Sequence, residues 1–208
     1  MIPLLAGLAT ASAGEWRDPR PYLAPILNLS AVSVNGDWYA IASAGATGGV
    51  RVRWSEAPHW LSHTRAVVVG MYGVPSGSLG AEVRGGSFIG PDWKHLQWQV
   101  GPDLFYGGYG DPRAEDYWLP FAPGLDLHNV VTFKLVRELH LVGEATPGWV
   151  FREERKQRRN VESVAPFDQL TLAAMAVIRA PFARLTVGYS RQYSSVGVVE
   201  GIILSGAL

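Results

Sequence analysis

Histidines are the first side chains to consider as catalytic groups, because an imidazole can exchange protons near neutral pH. The sequence contains five of them: His59, His63, His95, His128 and His140. A histidine and a serine that lie two positions apart in a strand share one face, so the histidine could activate the serine there. The residues two positions after these histidines are Leu61, Arg65, Gln97, Val130 and Val142. The sequence therefore predicts no serine hydrolase site of this kind.

The tripeptide Asp126-Leu127-His128 brings a carboxylate and an imidazole to one face of an extended chain. It resembles one element of the omptin-like proteases, which have ten strands and pair an Asp-x-His element with two further acidic residues. The sequence contains no Asp-x-Asp segment that could supply those residues. Because an isolated tripeptide is weak support for a protease, we predict no catalytic residue.

Two other motifs could in principle bind a metal ion or a phosphate group. "HWLSH" places His59 and His63 four residues apart, a spacing that could share a zinc ion on a helix, but no glutamate follows His59. The glycines of "GGYGDP" lack the lysine and hydroxyl side chains of a phosphate-binding loop. We predict an interfacial or solvated histidine pair and a mobile loop, with no metal and no cofactor.

The segment "REERKQRR" is the strongest charge cluster in the chain. It contains two glutamates and five basic residues: Arg152, Arg155, Lys156, Arg158 and Arg159. Arginine can bind a phosphate group through two parallel hydrogen bonds, so the segment could contact a phosphorylated surface. The alternative is an ordinary solvated loop or helical turn, which is the usual role of a charge run.

The elements that must position these residues are β-strands. In "ARLTVGYSRQYS", residues 183–194, every second residue forms one of two unlike faces, the signature of a strand between two environments. The same alternation recurs along the chain and predicts about ten strands. Their expected bounds are 24–34, 38–54, 63–74, 78–90, 93–106, 127–135, 139–151, 167–179, 182–194 and 197–207.

The connections between these strands include short turns and two long segments. "VNGD" is a hairpin turn signal, and "GPDW" and "RAPF" are turns that contain proline. The two long connections, 107–126 and 152–166, follow the fifth and seventh predicted strands. In an up-and-down barrel both would therefore lie at the same end.

The composition bounds the class of protein. Charged residues make up 17% of the 208 residues, below the roughly 25% of an ordinary soluble domain. The net charge is zero, which gives no electrostatic argument for a nucleic-acid partner, and the absence of cysteine excludes disulfides.

Residues 1–13 have the apolar core and small-residue end of an export signal without its basic start. We expect a single domain over 14–208.

Aromatic residues gather near the ends of the predicted strands: Trp38, Trp54, Trp93, Tyr106, Trp149, Phe151, Phe182 and Tyr193. Together with the alternation and the loop pattern, they make the chain resemble the bacterial outer-membrane β-barrel class over nearly all of its length. The resemblance implies an antiparallel up-and-down transmembrane barrel of about ten strands, with 8 to 12 as the range. One departure is the final residue, Leu208, where such proteins usually have an aromatic residue.

In such a barrel the polar strand faces point inward, and the resemblance implies a polar lumen. Its expected members are Arg51, Arg53, Glu82, Arg84, His95, Gln97, Gln99, Lys134 and Arg184, joined by Glu144 and Glu200. With ten strands, paired charges would fill most of the bore and leave at most a narrow conduit.

The two predicted long loops carry the residues that we expect to contact partner molecules. The basic segment would meet the phosphates of lipopolysaccharide on the external side. The aromatic residues of loop 107–126 suit contact with a ligand or a protein partner, or could fold inward as a plug: Tyr109, Tyr117, Trp118 and Phe121.

The resulting expectation is a small, non-enzymatic, monomeric outer-membrane barrel with a structural, surface-interaction or narrow-channel role. One alternative is a soluble periplasmic barrel of the lipocalin type, in which the apolar strand faces would line a cavity for an apolar ligand. Another is an envelope hydrolase whose site the sequence does not reveal.

Overall fold

The computed structural model describes residues 19–34, 37–53, 59–74, 77–110, 119–151, 167–180, 184–194 and 197–207. These residues form ten strands. The strands are β1 (Arg20–Val34), β2 (Asp37–Arg53), β3 (His59–Val74), β4 (Leu79–Asp92), β5 (Leu96–Gly110), β6 (Leu119–Lys134), β7 (Leu139–Val150), β8 (Gln169–Arg179), β9 (Arg184–Ser194) and β10 (Gly197–Ala207).

Each strand pairs antiparallel with its neighbour in sequence, and β1 pairs with β10 to close the barrel. The closing register sets Leu29 opposite Leu204, while Leu29 faces Ala42 on its other side. Closure leaves no strand edge with unpaired backbone groups, which is the condition for a sheet to cross a membrane. The predicted closed, antiparallel up-and-down barrel of about ten strands is confirmed.

The largest difference from the predicted strands lies in the connection expected at 107–126. β5 continues to Gly110 and β6 already begins at Leu119, so most of this predicted loop is strand. Pro123 lies near the start of β6, and near a strand end the missing N–H group of a proline is tolerated. Its side chain is exposed, and the residue pairs in register with Tyr106.

The two faces of the sheet differ sharply in charge. The outer face is lined by exposed apolar side chains, among them Leu23, Leu27, Val68, Val83, Leu104, Phe133 and Leu204. Among the strand side chains that the structure describes, Arg191 and Glu200 are the only charged ones on this face, and they form an ion pair of 3.2 Å.

Other polar groups on the outer face are also paired. The hydroxyl oxygens of Thr64 and Ser87 lie 2.9 Å apart, and the Trp98 indole N–H donates to the Asn129 amide oxygen at 2.7 Å. In each pair, one side chain supplies the hydrogen-bond partner of the other.

The inner face combines charged residues with two apolar clusters. One cluster lies on β1, β2 and β3 and consists of Ile26, Ile41, Val67, Val69 and Met71, with Tyr109 packed against it. The other lies on β6, β7, β8 and β10 and consists of Val130, Val142, Ala173, Met175, Val177 and Ile203. These clusters fill space beside the charged groups.

A glycine on the inner face makes room for a large ring. Gly124 lies opposite Phe105 in register, and a Cβ atom added to Gly124 would stand 2.1 Å from the Phe105 ring. The ring therefore occupies the volume that a side chain at position 124 would need.

Candidate functional site in the barrel lumen

The centre of the lumen holds a buried ionic network built around Arg84. Its Nε donates to Glu82 Oε1 at 2.6 Å, and its Nη1 lies 3.3 Å from Asp126 Oδ2 and 3.5 Å from Asp103 Oδ2. Asp103 also accepts a hydrogen bond of 2.9 Å from Arg65 Nη2. Asp103 is fully buried, and a buried carboxylate is tolerated when cations and donors surround it.

His128 extends this network toward β7. Its Nε2 lies 3.3 Å from Asp103 Oδ2 and its Nδ1 lies 2.6 Å from Glu144 Oε1, so each ring nitrogen faces a carboxylate. Thr146 donates to the same Glu144 oxygen at 2.7 Å. We call the set of charged residues and His128 the central network: Arg65, Glu82, Arg84, Asp103, Asp126, His128 and Glu144.

Two amides carry the hydrogen-bond chain across the next strands. Gln169 Nε2 donates to Asp126 Oδ1 at 2.9 Å, and Gln192 Nε2 donates to Gln169 Oε1 at 2.8 Å. Polar contacts therefore run from β3 to β9 across the interior of the barrel. The pairing is not complete, since Arg65 Nε, Asp103 Oδ1 and Gln192 Oε1 are buried without a hydrogen-bond partner among the described residues.

The connections of β2 to β3, β4 to β5, β6 to β7 and β8 to β9 lie at one end of the barrel, which we call the short-turn end. There Asp92 binds two cations, Arg53 at 3.3 Å and Lys134 at a short distance. Lys134 also donates to the carbonyl oxygen of Trp93 at 3.0 Å.

Three more arginines lie on the inner face near this end: Arg51, Arg179 and Arg184, the arginine cluster. Arg179 and Arg184 are register partners on β8 and β9, and their charges repel each other and that of Arg51. The Arg51 guanidinium stands 4.6 Å over the Tyr22 ring, and the Tyr22 hydroxyl is 2.5 Å from His63 Nε2.

A row of rings lies between the arginine cluster and the central network. Tyr22 contacts His63 at 5.5 Å between ring centroids, His63 contacts Phe88 at 6.0 Å, and Phe88 contacts His128 at 5.5 Å. Arg65 stacks on Phe88 at 4.6 Å. The arginine cluster and the central network are thus linked by continuous packing.

With this geometry, the chain can be compared with known proteins. No protein-family model matches it, and no curated protein is detectably similar. Among solved structures it is similar to the β domain of the Bordetella autotransporter BrkA, with 10% identity over 90% of this chain and 98% of that one and a TM-score of 0.44.

The chain is also similar to the translocator domain of the autotransporter NalP from Neisseria meningitidis. The identity is 10% over 94% of this chain and 88% of that one, and the TM-score is 0.38. The assignment of the fold comes from the strand order and registers given above.

Most of the residues expected in the lumen lie on the inner face. Glu82, Arg84, Gln97, Gln99 and Glu144 are buried there, and Arg51, Arg53, Lys134 and Arg184 are half-buried toward the short-turn end.

Two of the expected lumen residues are placed elsewhere. The prediction for His95 was wrong, because β5 begins only at Leu96 and His95 is exposed in the preceding turn. The prediction for Glu200 was also wrong, because its register partner is Arg191 on the outer face.

The expected ligand-contact loop is also changed. Tyr109 lies at the end of β5, where its hydroxyl makes a short hydrogen bond to Ser78, and Phe121 is exposed on β6. Neither residue belongs to a loop. Tyr117 and Trp118, and the basic residues Arg152, Arg155, Lys156, Arg158 and Arg159, lie outside the described residues.

Sequence reasoning missed several members of the lumen. Asp103 shares the inward parity of Gln97 and Gln99 on β5, so extending the alternation would have found it. Arg179 shares the parity of Gln169 on β8 in the same way. Arg65 had no such signal, because its neighbours on the inner face of β3 include Val67 and Val69.

Within the described ranges, no group of three or more histidine or acidic side chains has an arrangement suited to a metal ion. Over the same residues, no helix is long and apolar enough to cross a membrane.

Proposed function

We propose that the protein is a small bacterial outer-membrane barrel with a non-enzymatic, structural or surface-interaction role, and that its lumen is closed at rest. The observation that carries this proposal is the distribution of charge between the two faces. The outer strand face has a single ion pair among its described side chains, whereas the central network lies inside. Lipid covers an apolar outer face at no cost, but it cannot solvate a row of charges.

The arrangement is the opposite of what a soluble lipocalin-like barrel requires. Such a barrel would direct its aliphatic faces inward and expose the polar ones. Here Leu185 and Val187 are exposed, while Thr186 and Ser190 on the same strand are buried. The described strands therefore favour a membrane environment over an aqueous one.

The closed lumen favours an anchor over a general pore. The central network and the two apolar clusters occupy adjoining parts of the inner face, and Glu144 of the network lies opposite Val130 and Ala173 in register. A barrel near eight strands is just filled by side chains, whereas an aqueous channel accompanies 16 to 18 strands. With its bore filled, the molecule can act through the segments that it holds at the membrane surface.

Among those segments, 111–118 and 152–166 connect strands at the same end of the barrel. Long loops of outer-membrane barrels are external, so we assign this end to the cell surface. On that assignment, the basic residues of 152–159 would contact the phosphates of lipopolysaccharide.

The experiment that tests the proposal is electrophoresis of the membrane-extracted protein with and without boiling. A barrel in which every strand is paired resists detergent until it is heated, so the unboiled protein should migrate differently from the boiled one. The protein should also remain in the membrane fraction after washing at alkaline pH. Recovery in the soluble fraction with no shift on boiling would contradict the membrane assignment.

A further inference from the structure

The short-turn end of the lumen concentrates positive charge. Five cationic side chains point into it: Arg51, Arg53, Lys134, Arg179 and Arg184. Of the acidic side chains that the described strands direct inward, only Asp92 lies at this end, and it already binds Arg53 and Lys134. The local charge of the described residues is therefore strongly positive.

The arginine cluster is held in place although its members repel one another. The Arg51 guanidinium stacks on the Tyr22 ring, and the 2.5 Å contact between the Tyr22 hydroxyl and His63 Nε2 holds that ring in position. The Nε atom of Arg51 is buried and has no hydrogen-bond partner among the described residues. A bound anion would relieve the repulsion and supply an acceptor for this group.

The cluster is also within reach of solvent. Arg51, Arg179 and Arg184 are half-buried, whereas Arg65 and Arg84 deeper in the lumen are buried. The packed central network lies beyond the cluster, so a solute entering from the short-turn end would stop at the arginines.

We propose that the arginine cluster is a binding site for a small oxyanion of the phosphate class that enters the lumen from the short-turn end. Guanidinium groups match the geometry of a tetrahedral oxyanion, because each can donate two parallel hydrogen bonds. The proposal rests on the fold and the inner face alone. It stands whether or not the surface role proposed above is correct.

A lipid phosphate is a less suitable ligand for this cluster. The three arginines lie on the inner face, and the closed sheet separates them from the lipid that covers the outer face. A soluble oxyanion would approach the half-buried arginines from the short-turn end.

The test is calorimetric titration of the full-length barrel, in a non-ionic detergent, with inorganic phosphate at constant ionic strength set by chloride. We expect saturable binding by the natural protein. The double substitution Arg51→Gln and Arg184→Gln should weaken binding by about tenfold or more, the loss of one charge-assisted interaction being sufficient for that factor. Boiled and unboiled gel mobility confirms that each variant is closed.

The matched control is Arg191→Gln, which removes an arginine from the outer face of the same strand as Arg184. It should bind phosphate as the natural protein does. If the double variant does not form a closed barrel, the single variants Arg51→Lys and Arg184→Lys test the proposal instead. Each keeps the positive charge but loses the paired donors of the guanidinium group, so each should weaken phosphate binding severalfold.

Three outcomes would overturn the proposal. They are absence of saturable binding by the natural protein, equal affinity in the cluster variants, and binding of phosphatidylglycerol in mixed micelles without binding of inorganic phosphate. The last would assign the arginines to a lipid headgroup.

Discussion

At the scale of single residues, the lumen is a set of charges whose burial is tolerated through pairing. Arg84 contacts three carboxylates, those of Glu82, Asp126 and Asp103. Taking one partner out of such a set leaves the others buried without compensation. We therefore expect removal of Arg84 to cost more stability than breaking the partly exposed Arg191–Glu200 pair.

We expect Arg84→Ala to lower the free energy of unfolding by about 3 to 5 kcal/mol, because three carboxylates lose their common cation. Chemical denaturation in detergent micelles measures the change. The control is Arg191→Ala, which breaks the partly exposed pair with Glu200 and should cost about 1 kcal/mol or less. Equal losses in the two variants would contradict the role assigned to the central network.

Gly124 and Phe105 provide a second test at this scale. We expect Gly124→Ala to destabilise the barrel by about 1 to 3 kcal/mol, because its methyl group would overlap the Phe105 ring. Gly143→Ala on β7 is the control, since a Cβ atom there would meet nothing within 4 Å. Replacing Phe105 by Leu in the Gly124→Ala background should recover part of the loss. Failure of that rescue would mean that the ring does not occupy the glycine's space.

At the scale of elements, alternation of side chains predicts nearly all of the fold. Strands β2, β9 and β10 begin and end within about two residues of the sequence prediction, since their two faces differ strongly. β1 and β6 begin earlier than predicted, at Arg20 and Leu119, because prolines near their starts resemble turn signals.

The contacts of the candidate site were not predictable in the same way. Parity places Arg84 and Glu82 on the inner face, but the contact of Arg84 with Asp126 joins residues 42 apart in sequence. That contact depends on the registers of β4, β5 and β6, and a shift of one residue would move a whole strand face outward. The prediction for His95 failed because the start of β5 could not be located to the residue. His95 has the parity of the inward-facing residues, but β5 begins at Leu96, one residue after it.

The outer face of β9 and β10 yields a prediction about lipid. Leu204 and Val187 are exposed register partners on that face. Leu204→Arg should destabilise the folded barrel in lipid by about 2 to 4 kcal/mol, because the charge must enter the apolar layer. Leu204→Phe at the same position should be nearly neutral. Equal stability of the two variants in vesicles would contradict the lipid-facing assignment.

The connection between β7 and β8 carries the proposed contact with lipopolysaccharide. Replacing its five basic residues with Gln should weaken binding to lipopolysaccharide micelles strongly, as each cation near an anionic surface contributes about 1 kcal/mol. The control is Lys94→Gln with Arg137→Gln, two exposed residues in turns at the opposite end. If only the control variant lost binding to lipopolysaccharide, the opposite end of the barrel would be the one at the cell surface. If neither variant lost binding, the proposed contact would be contradicted.

At the scale of the whole molecule, a closed sheet of ten strands surrounds an interior that holds paired charges and two apolar clusters. The central network joins strands from β3 to β7, and Gln169 and Gln192 extend it to β9. The apolar cluster of Ile26, Ile41 and their neighbours occupies the part of the wall that the network does not reach. Conduction through the barrel would require these groups to separate.

We therefore expect the purified protein to show, in planar lipid bilayers, a conductance far below that of a 16-stranded porin. Removing both members of a central pair, with Glu82→Ala and Arg84→Ala, should raise the conductance severalfold, because two large side chains leave the bore. Since Asp126 and Asp103 also lose a cation in this variant, its gel mobility without boiling must show that the barrel is still closed. The matched control is Arg191→Ala with Glu200→Ala, which removes an ion pair from the outer face and should leave conductance unchanged. A large steady conductance of the natural protein, or equal behaviour of the two double variants, would mean that the central network does not close the lumen.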